Sequence, residues 1–278
     1  MDYLTPYAFA SEQRLLAYLK REGGSPGVGD SAEARIAVIG AGNAAAGWLE
    51  AYTGRRLAAR TYRTAVSLGS CTVAANGLSV SGADFTTNAK ALDDLVAPSL
   101  LAPGTRIASI ASATALTLSR KAEAGSAVLT AGSEGLLFDG TGETLARLPE
   151  YPVSAVYSLA YLDADGTATD IDTTGARLDG RTGLYQLTQD ALPLGSLNVR
   201  VEMRAGYEEP TGATRGHAAE WGALERIFLR VAKIFFEDER LRGGRIVSES
   251  VGQVSASLPD FKMPADITEA LVPFVRHW

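Results

Sequence analysis

Between Ala218 and Arg242 the apolar residues Trp221, Leu224, Ile227, Phe228, Val231, Ile234, Phe235 and Leu241 recur at helical spacing. That broad stripe predicts a long core or interface helix, stopped by Gly243 and Gly244. A shorter helix is expected from Ser11 to Glu22. Ser11 would cap it, Leu15, Leu16 and Leu19 would share one side, and Gly23-Gly24 would end it. Alternation with period two takes over further along the chain. Leu197, Val199, Val201 and Met203 are set against Asn198, Arg200, Glu202 and Arg204, which predicts a strand with one buried face over Leu197 to Ala205. Shorter strands are expected at Val153 to Leu162, Ala176 to Leu178 and Leu184 to Leu187, with a tight turn at Asp163 to Gly166.

The stretch from Arg35 to Arg56 supports two readings. Ile36 to Ile39 followed by Gly40, Gly42 and Ala45 imitates the strand, glycine turn and helix that cradle a dinucleotide pyrophosphate. That motif needs an acidic residue about 20 positions on to hold the ribose. No carboxylate occurs between Glu50 and Asp84. The helical reading accounts for more: Asp30 and Glu33 form a capping box, Ile36, Ile39, Trp48 and Tyr52 recur at helical spacing, and Gly54 supplies the stop. Its cost is Gly40, Gly42 and Gly47 inside a helix, each about 1 kcal/mol worse than alanine. Close approach of another helix along Gly40, Ala44 and Gly47 is expected to offset it.

From Ala65 to Gly142 the composition shifts to Ala, Ser, Gly and Thr, with Phe85 and Phe138 as the aromatics. Apolar residues still return at strand-like intervals, from Val73, Leu78 and Val80 to Ile107, Leu116, Leu118 and Leu129, and Pro103-Gly104 supplies a turn. This is the pattern of an inserted small β domain and not of a flexible linker. After Gly243 the segment RIVSESVGQVSASLPDFKMP is polar and weakly alternating, and a short helix opened by Pro264 follows. Such a tail either folds back on its own core or adds a strand or helix to a neighbour. The fold class is therefore α+β. It comprises a helical bundle of three main helices with antiparallel β-hairpins over residues 1–64 and 143–242, an inserted small all-β domain at 65–142, and an extended C-terminal tail at 243–278.

Composition narrows the chemistry. A chain of 278 residues with 46 % hydrophobic content can bury a substantial core. The start does not resemble a signal peptide, since Asp2 precedes any apolar run, and no run is clean enough to span a bilayer, so cytoplasmic synthesis and no membrane partner are expected. One cysteine, Cys71, excludes an internal disulfide, and two histidines, His217 and His277, leave little for a histidine metal site or a catalytic base. The run DADGTATDID begins like a calcium loop. Its glycine is misplaced and no glutamate closes it, so an Asp-Gly hairpin turn is the better reading. A net charge of −6 argues against a general nucleic-acid binder. No cofactor, metal or catalytic residue is expected.

Four segments, in this order, resemble the head-tail connector, or adaptor, proteins of long-tailed bacteriophages. They are AYTGRRL at Ala51 to Leu57 running into AARTYR; LPEYPVSAVYSLAYLDADGT at Leu148 to Thr167; LNVRVEMRAGYEE; and the long helix followed by SESVGQVSASLP and ALVPF. The segment VAPSLLAPGTRIASIASATALTLSRKAEA also resembles a small β module of phage structural proteins, and its presence departs from the simplest connectors. Particle decoration, contact between subunits and evolutionary ornament are all open as its role. The resemblance implies a non-enzymatic virion protein of the neck, assembled in the host cytoplasm. It implies a ring of about twelve copies beneath the portal protein, extending the channel through which DNA passes and docking a downstream neck or tail-completion protein. Arg245, Val247, Val251, Val254, Leu258, Phe274, Arg276 and Trp278 are then the expected portal or inter-subunit docking residues, with Phe274 and Trp278 as aromatic anchors. Two rivals stand beside this: a nucleotide-dependent enzyme using Gly40, Gly42 and Ala45, and a surface or glycan-binding module carried by residues 65–142.

Overall fold

The computed structural model describes residues 4, 8–22, 32–82, 84–90, 93–96, 100–101, 105–119, 122–132, 135–210, 217–241 and 263–276. In chain order they form α1 (Glu12–Glu22), α2 (Ala32–Thr53), β1 (Arg60–Tyr62), β2 (Val66–Val73), β3 (Ser79–Ser81), α3 (Phe85–Asn88) and β4 (Leu95–Val96). There follow β5 (Ile107–Ser112), β6 (Ala115–Leu118), β7 (Gly125–Ala131), β8 (Leu136–Gly140), β9 (Leu145–Arg147) and β10 (Val153–Leu162). The chain ends with β11 (Ala168–Asp170), β12 (Arg177–Asp179), β13 (Leu184–Gln186), β14 (Gly195–Ala205), α4 (Ala218–Leu241), α5 (Ala265–Leu271) and a 3-10 turn, Val272–Phe274. Packing divides them into two compact units, residues 1–57 with 208–278, and residues 58–207. The chain is mixed α and β, dominated by sheet, with five helices among the described residues.

In the helical unit α1, α2, α4 and α5 surround a core that includes Leu15, Leu19, Ile39, Ala45, Leu49, Phe228, Val231, Ile267 and Leu271. The Ser11 hydroxyl accepts from the Arg14 amide at 3.2 Å, the cap expected for α1. The Asp30 half of the capping box expected for α2 lies outside the described residues. Its other end is as expected: Gly54 takes φ +65°, the left-handed conformation that releases the chain from a helix. The packed face of α2 is not the one its sequence suggested. Gly42, Ala45, Ala46 and Leu49 are buried, whereas Gly40, Ala44 and Gly47 face outward. A methyl group at Gly42 would sit 2.9 Å from Leu15 Cδ2 and also collide with Leu4, but at Gly40 or Gly47 it would meet nothing within 4 Å. Gly40→Ala and Gly47→Ala are thus expected to raise stability by about 0.5–1 kcal/mol each, and Gly42→Ala to lower it, as read by chemical denaturation.

The β unit contains three sheets. In the first, β14 is flanked on one side by β10, with β11 beyond it, and on the other by β1 and β8 in tandem, all antiparallel. A smaller sheet runs β12-β13-β9. Val199, Val201, Met203 and Ala205 point inward from β14, as their alternation required, and pack with Tyr62, Leu148, Leu159, Tyr185 and Leu192. The third sheet has the order β4-β7-β2-β3-β6-β5. Its two ends meet, because Asp94 bridges to Arg106, the Leu95 amide donates to the Thr105 carbonyl at 2.8 Å and the Ile107 amide to the Asp93 carbonyl at 3.0 Å. A small barrel results, filled by Leu68, Cys71, Phe85, Ile107, Leu116 and Leu129. It lies within the segment whose composition set it apart. The DADG run is the turn between β10 and β11: Asp163 accepts from the Asp165 and Thr167 amides at 3.0 and 2.8 Å.

Candidate docking surfaces

Of the expected docking residues, Arg245, Val247, Val251, Val254, Leu258 and Trp278 lie outside the described residues. Phe274 and Arg276 are placed, and both touch the end of α2. Phe274 is buried; its carbonyl accepts from Arg55 Nη1 at 3.4 Å, and the Arg276 amide donates to the Thr53 carbonyl at 2.9 Å. Arg230 Nη2 donates to Asp266 at 2.5 Å and fastens α5 to α4, and that partner holds the Asp266 carboxyl below its usual range. The last helix therefore folds back onto its own unit, one of the two arrangements the tail sequence allowed. Val272 and Pro273, between Leu271 and Phe274, face outward.

A second surface was not legible as one. Leu197 was expected to point inward with Val199, yet it is 59 % exposed and takes φ +49°, a left-handed conformation rare for a branched side chain. The register explains this. Gly195 pairs with Gly140 and Val199 with Phe138, so Ser196, Leu197 and Asn198 bulge opposite Asp139 alone. The bulge is braced from both strands. Asp139 Oδ1 accepts from the Leu197 amide at 2.7 Å and the Ser196 hydroxyl at 3.0 Å. Asn198 accepts from the Gly140 amide at 2.9 Å and donates to the Pro193 carbonyl at 3.1 Å. A side chain at Gly140 would collide with that same Pro193 carbonyl. Leu194, beside the bulge, is 82 % exposed. Pro193 and Gly195 around a leucine were the available signal for a turn here.

The β unit also holds a buried ion pair, Arg63 Nε to Asp93 Oδ2 at 3.1 Å, with side chains 8 % and 0 % exposed. Arg63 follows β1; its Nη2 donates to the Asn88 carbonyl at 2.5 Å, and the Lys90 amide donates to Asp93 Oδ2 at 2.7 Å. Arg106 Nη1 reaches the Ala59 carbonyl at 2.7 Å, so a second arginine joins the barrel to the chain leading into β1. Burial pushes the Asp93 carboxyl up to about 6, against the opposing pull of the Lys90 amide and the Arg63 guanidinium. Because the folded value lies above the unfolded one near 3.8, the contribution of this group is fullest below about pH 4 and is lost as pH rises through about 6. Asp93→Asn removes that titration. The stability difference between variant and wild type is expected to move toward the variant by about 2 kcal/mol between pH 4 and pH 7, measured by denaturation across that range.

The rival sites fare differently. Gly40, Gly42 and Ala45 lie inside the 22-residue helix α2, with Ala45 and Gly42 in its buried face. The residues that lead into them, from Ala32, belong to the same helix, so their amides serve the helix and not a phosphate. In the barrel Phe85 is buried, and the outward face is hydroxyl-rich, with Thr72 bonded to Ser126 at 2.9 Å and Ser109 to Thr117 at 2.7 Å. No aromatic platform for a sugar ring stands on the barrel among its described residues. The His217 carbonyl accepts the Trp221 amide at the start of α4, while His277 lies outside the described residues. No group of three or more His, Cys, Asp or Glu side chains that could hold a metal ion occurs among the described residues. No described helix is long and apolar enough to cross a membrane.

No protein-family model and no curated protein matches the chain. Among solved structures it is similar to a chain in the neck of an empty gene transfer agent (GTA) particle computed with C6 symmetry. That match has 13 % identity and a TM-score of 0.44, and spans 99 % of this chain and 93 % of that one. It is also similar to a chain in the virion of the native GTA particle, at 14 % identity and a TM-score of 0.43 over 99 % and 93 % of the two chains. Likeness of this degree assigns neither a role nor a partner.

Proposed function

We propose that this chain is a structural, non-enzymatic head-tail connector of a phage-like particle. In this reading about twelve copies form a ring under the portal, extend the DNA channel and present a surface to the next neck or tail protein. The observation that carries it is the order of four sequence segments, beginning with AYTGRRL at the end of α2. The structure gives that first segment a physical task. Gly54 closes α2, and Thr53 and Arg55 hold the backbone of Arg276 and Phe274, so the C-terminal segment is tied to the end of α2.

Docking is assigned to the tail between α4 and α5, through Arg245, Val247, Val251, Val254 and Leu258, and to the end of the chain at Arg276 and Trp278. Phe274, buried against its own unit, anchors the end from inside. A net charge of −6 suits a channel that DNA crosses without being gripped. The test is replacement of Val247, Val251, Val254 and Leu258 by serine. The variant is expected to keep the wild-type unfolding midpoint while losing annular assembly on the portal, seen by negative-stain electron microscopy. Normal assembly by it would remove the tail from the docking role. Deleting Gly243 to Trp278 is a poorer test, because it also strips Ile267, Leu271 and Phe274 from the helical core.

A further inference from the structure

We infer that the braced bulge carrying Leu194 and Leu197 is the plug of a head-to-tail contact between copies of this chain, received by the outward face of α2 on the next copy. The inference rests on the annular reading above and names the surfaces that would make the ring. Leu194 and Leu197 are 82 % and 59 % exposed, and the position of Leu197 is fixed by its neighbours. Leu197 is held in a left-handed conformation by side chains of two neighbouring strands, when a relaxed strand would have turned it inward with Val199. Strain maintained by a surrounding hydrogen-bond network is a signature of built recognition sites. Two exposed leucines beside a braced backbone offer apolar area whose backbone is already ordered, so docking orders only their side chains.

The occupant follows from charge and shape. The two segments that build the tip, Leu136 to Leu145 and Leu187 to Val199, contain Asp139, Glu143 and Asp190 but no lysine or arginine. All three carboxylates are on exposed residues, so the tip is an apolar plug with an acidic rim. The outward face of α2 is its complement. Ile36 is 53 % exposed, Tyr52 is 40 % exposed and stacks on Trp48 with ring centroids 5.1 Å apart, and no charge lies between Arg35 and Glu50. Arg56 and Arg276 stand at the C-terminal end of this helix, placing positive charge where an acidic rim would rest. Between Ile36 and Trp48 the open space over Gly40 and Gly47 leaves the backbone accessible to an incoming leucine. Because plug and socket are different surfaces, the contact is heterologous; it closes a ring or propagates, and it does not stop at a dimer.

The experiment uses the full chain and two variants. Leu194→Ser/Leu197→Asn removes the plug, and asparagine tolerates the left-handed backbone, so the folded unit is not weakened. Ile36→Glu places a charge on the socket at an exposed helical position. Sedimentation velocity over a concentration series is expected to show wild-type chains associating into species larger than dimers. Each variant alone should be weakened by about 100-fold or more, with unchanged unfolding midpoints. Mixed in equal amounts, the two variants retain one intact plug and one intact socket, and should form heterodimers and nothing larger. Wild-type-like association of the plug variant, or wild-type chains that remain monomeric throughout, would overturn this inference. Neither result touches the connector reading, which stands or falls on whether the chain adds an annulus to the portal.

Discussion

Arg63→Met is expected to lower the stability of the β unit by about 3–5 kcal/mol at pH 7.5, because it leaves the Asp93 carboxylate buried without its cation. The loss is specific in its pH dependence. With Arg63 present Asp93 becomes neutral below about pH 6, and without that cation the carboxyl is pushed higher still, so the penalty should shrink as pH falls toward 6. It is also specific in its partner. The double variant Arg63→Met/Asp93→Leu removes both charges and should recover most of the loss, as replacement of a buried pair by apolar groups commonly does. Urea denaturation of the single and double variants at pH 5 and pH 7.5 reads all three effects. A pH-independent loss that the double variant does not relieve would mean that Arg63 acts through its bond to the Asn88 carbonyl instead.

The second large effect belongs to the helical unit. Phe228 is fully buried on α4, and its ring lies 3.8 Å from where a Cβ at Gly42 of α2 would stand. Phe228→Ala is expected to cost about 3–5 kcal/mol, since it opens a cavity where a fully buried ring stood. Amide hydrogen exchange followed by mass spectrometry would locate the loss. Protection should fall over α1, α2 and α4, while β14 and β10 stay protected. Equal loss in both units would show that the two compact units unfold as one.

How much of this was legible in the sequence depended on the kind of signal each residue carries. The stripe on α4 and the alternation Val199, Val201, Met203 are periodic, and both elements were readable from them. Gly54 was readable because a helix stop has a characteristic residue. The face of α2 was not. With alanine and glycine on every side, the helix has almost no contrast between its faces, so the outward Gly40, Ala44 and Gly47 looked as suitable for packing as the buried Gly42 and Ala45. Leu197 failed for another reason. Period-two patterning assumes an unbroken ladder, and the bulge opposite Asp139 resets it. The bulge is specified by Asp139 and Gly140 on one strand and Asn198 on the other, which form no pattern until the strands pair. Closure of the barrel through Asp94 and Arg106, and the buried pair Arg63 and Asp93, are likewise long-range facts. For the tail the sequence left two arrangements open, and the buried Phe274 decides for its end.

The central claim is that this chain builds an annular layer on a portal. The most direct measurement is negative-stain electron microscopy of the purified full chain mixed with the portal protein of the same particle, beside portal alone. The account predicts an additional ring of about twelve copies, coaxial with the portal and carrying a continuous central channel. Portal rings indistinguishable from those without the chain, with the chain itself present as a closed dimer, would contradict it.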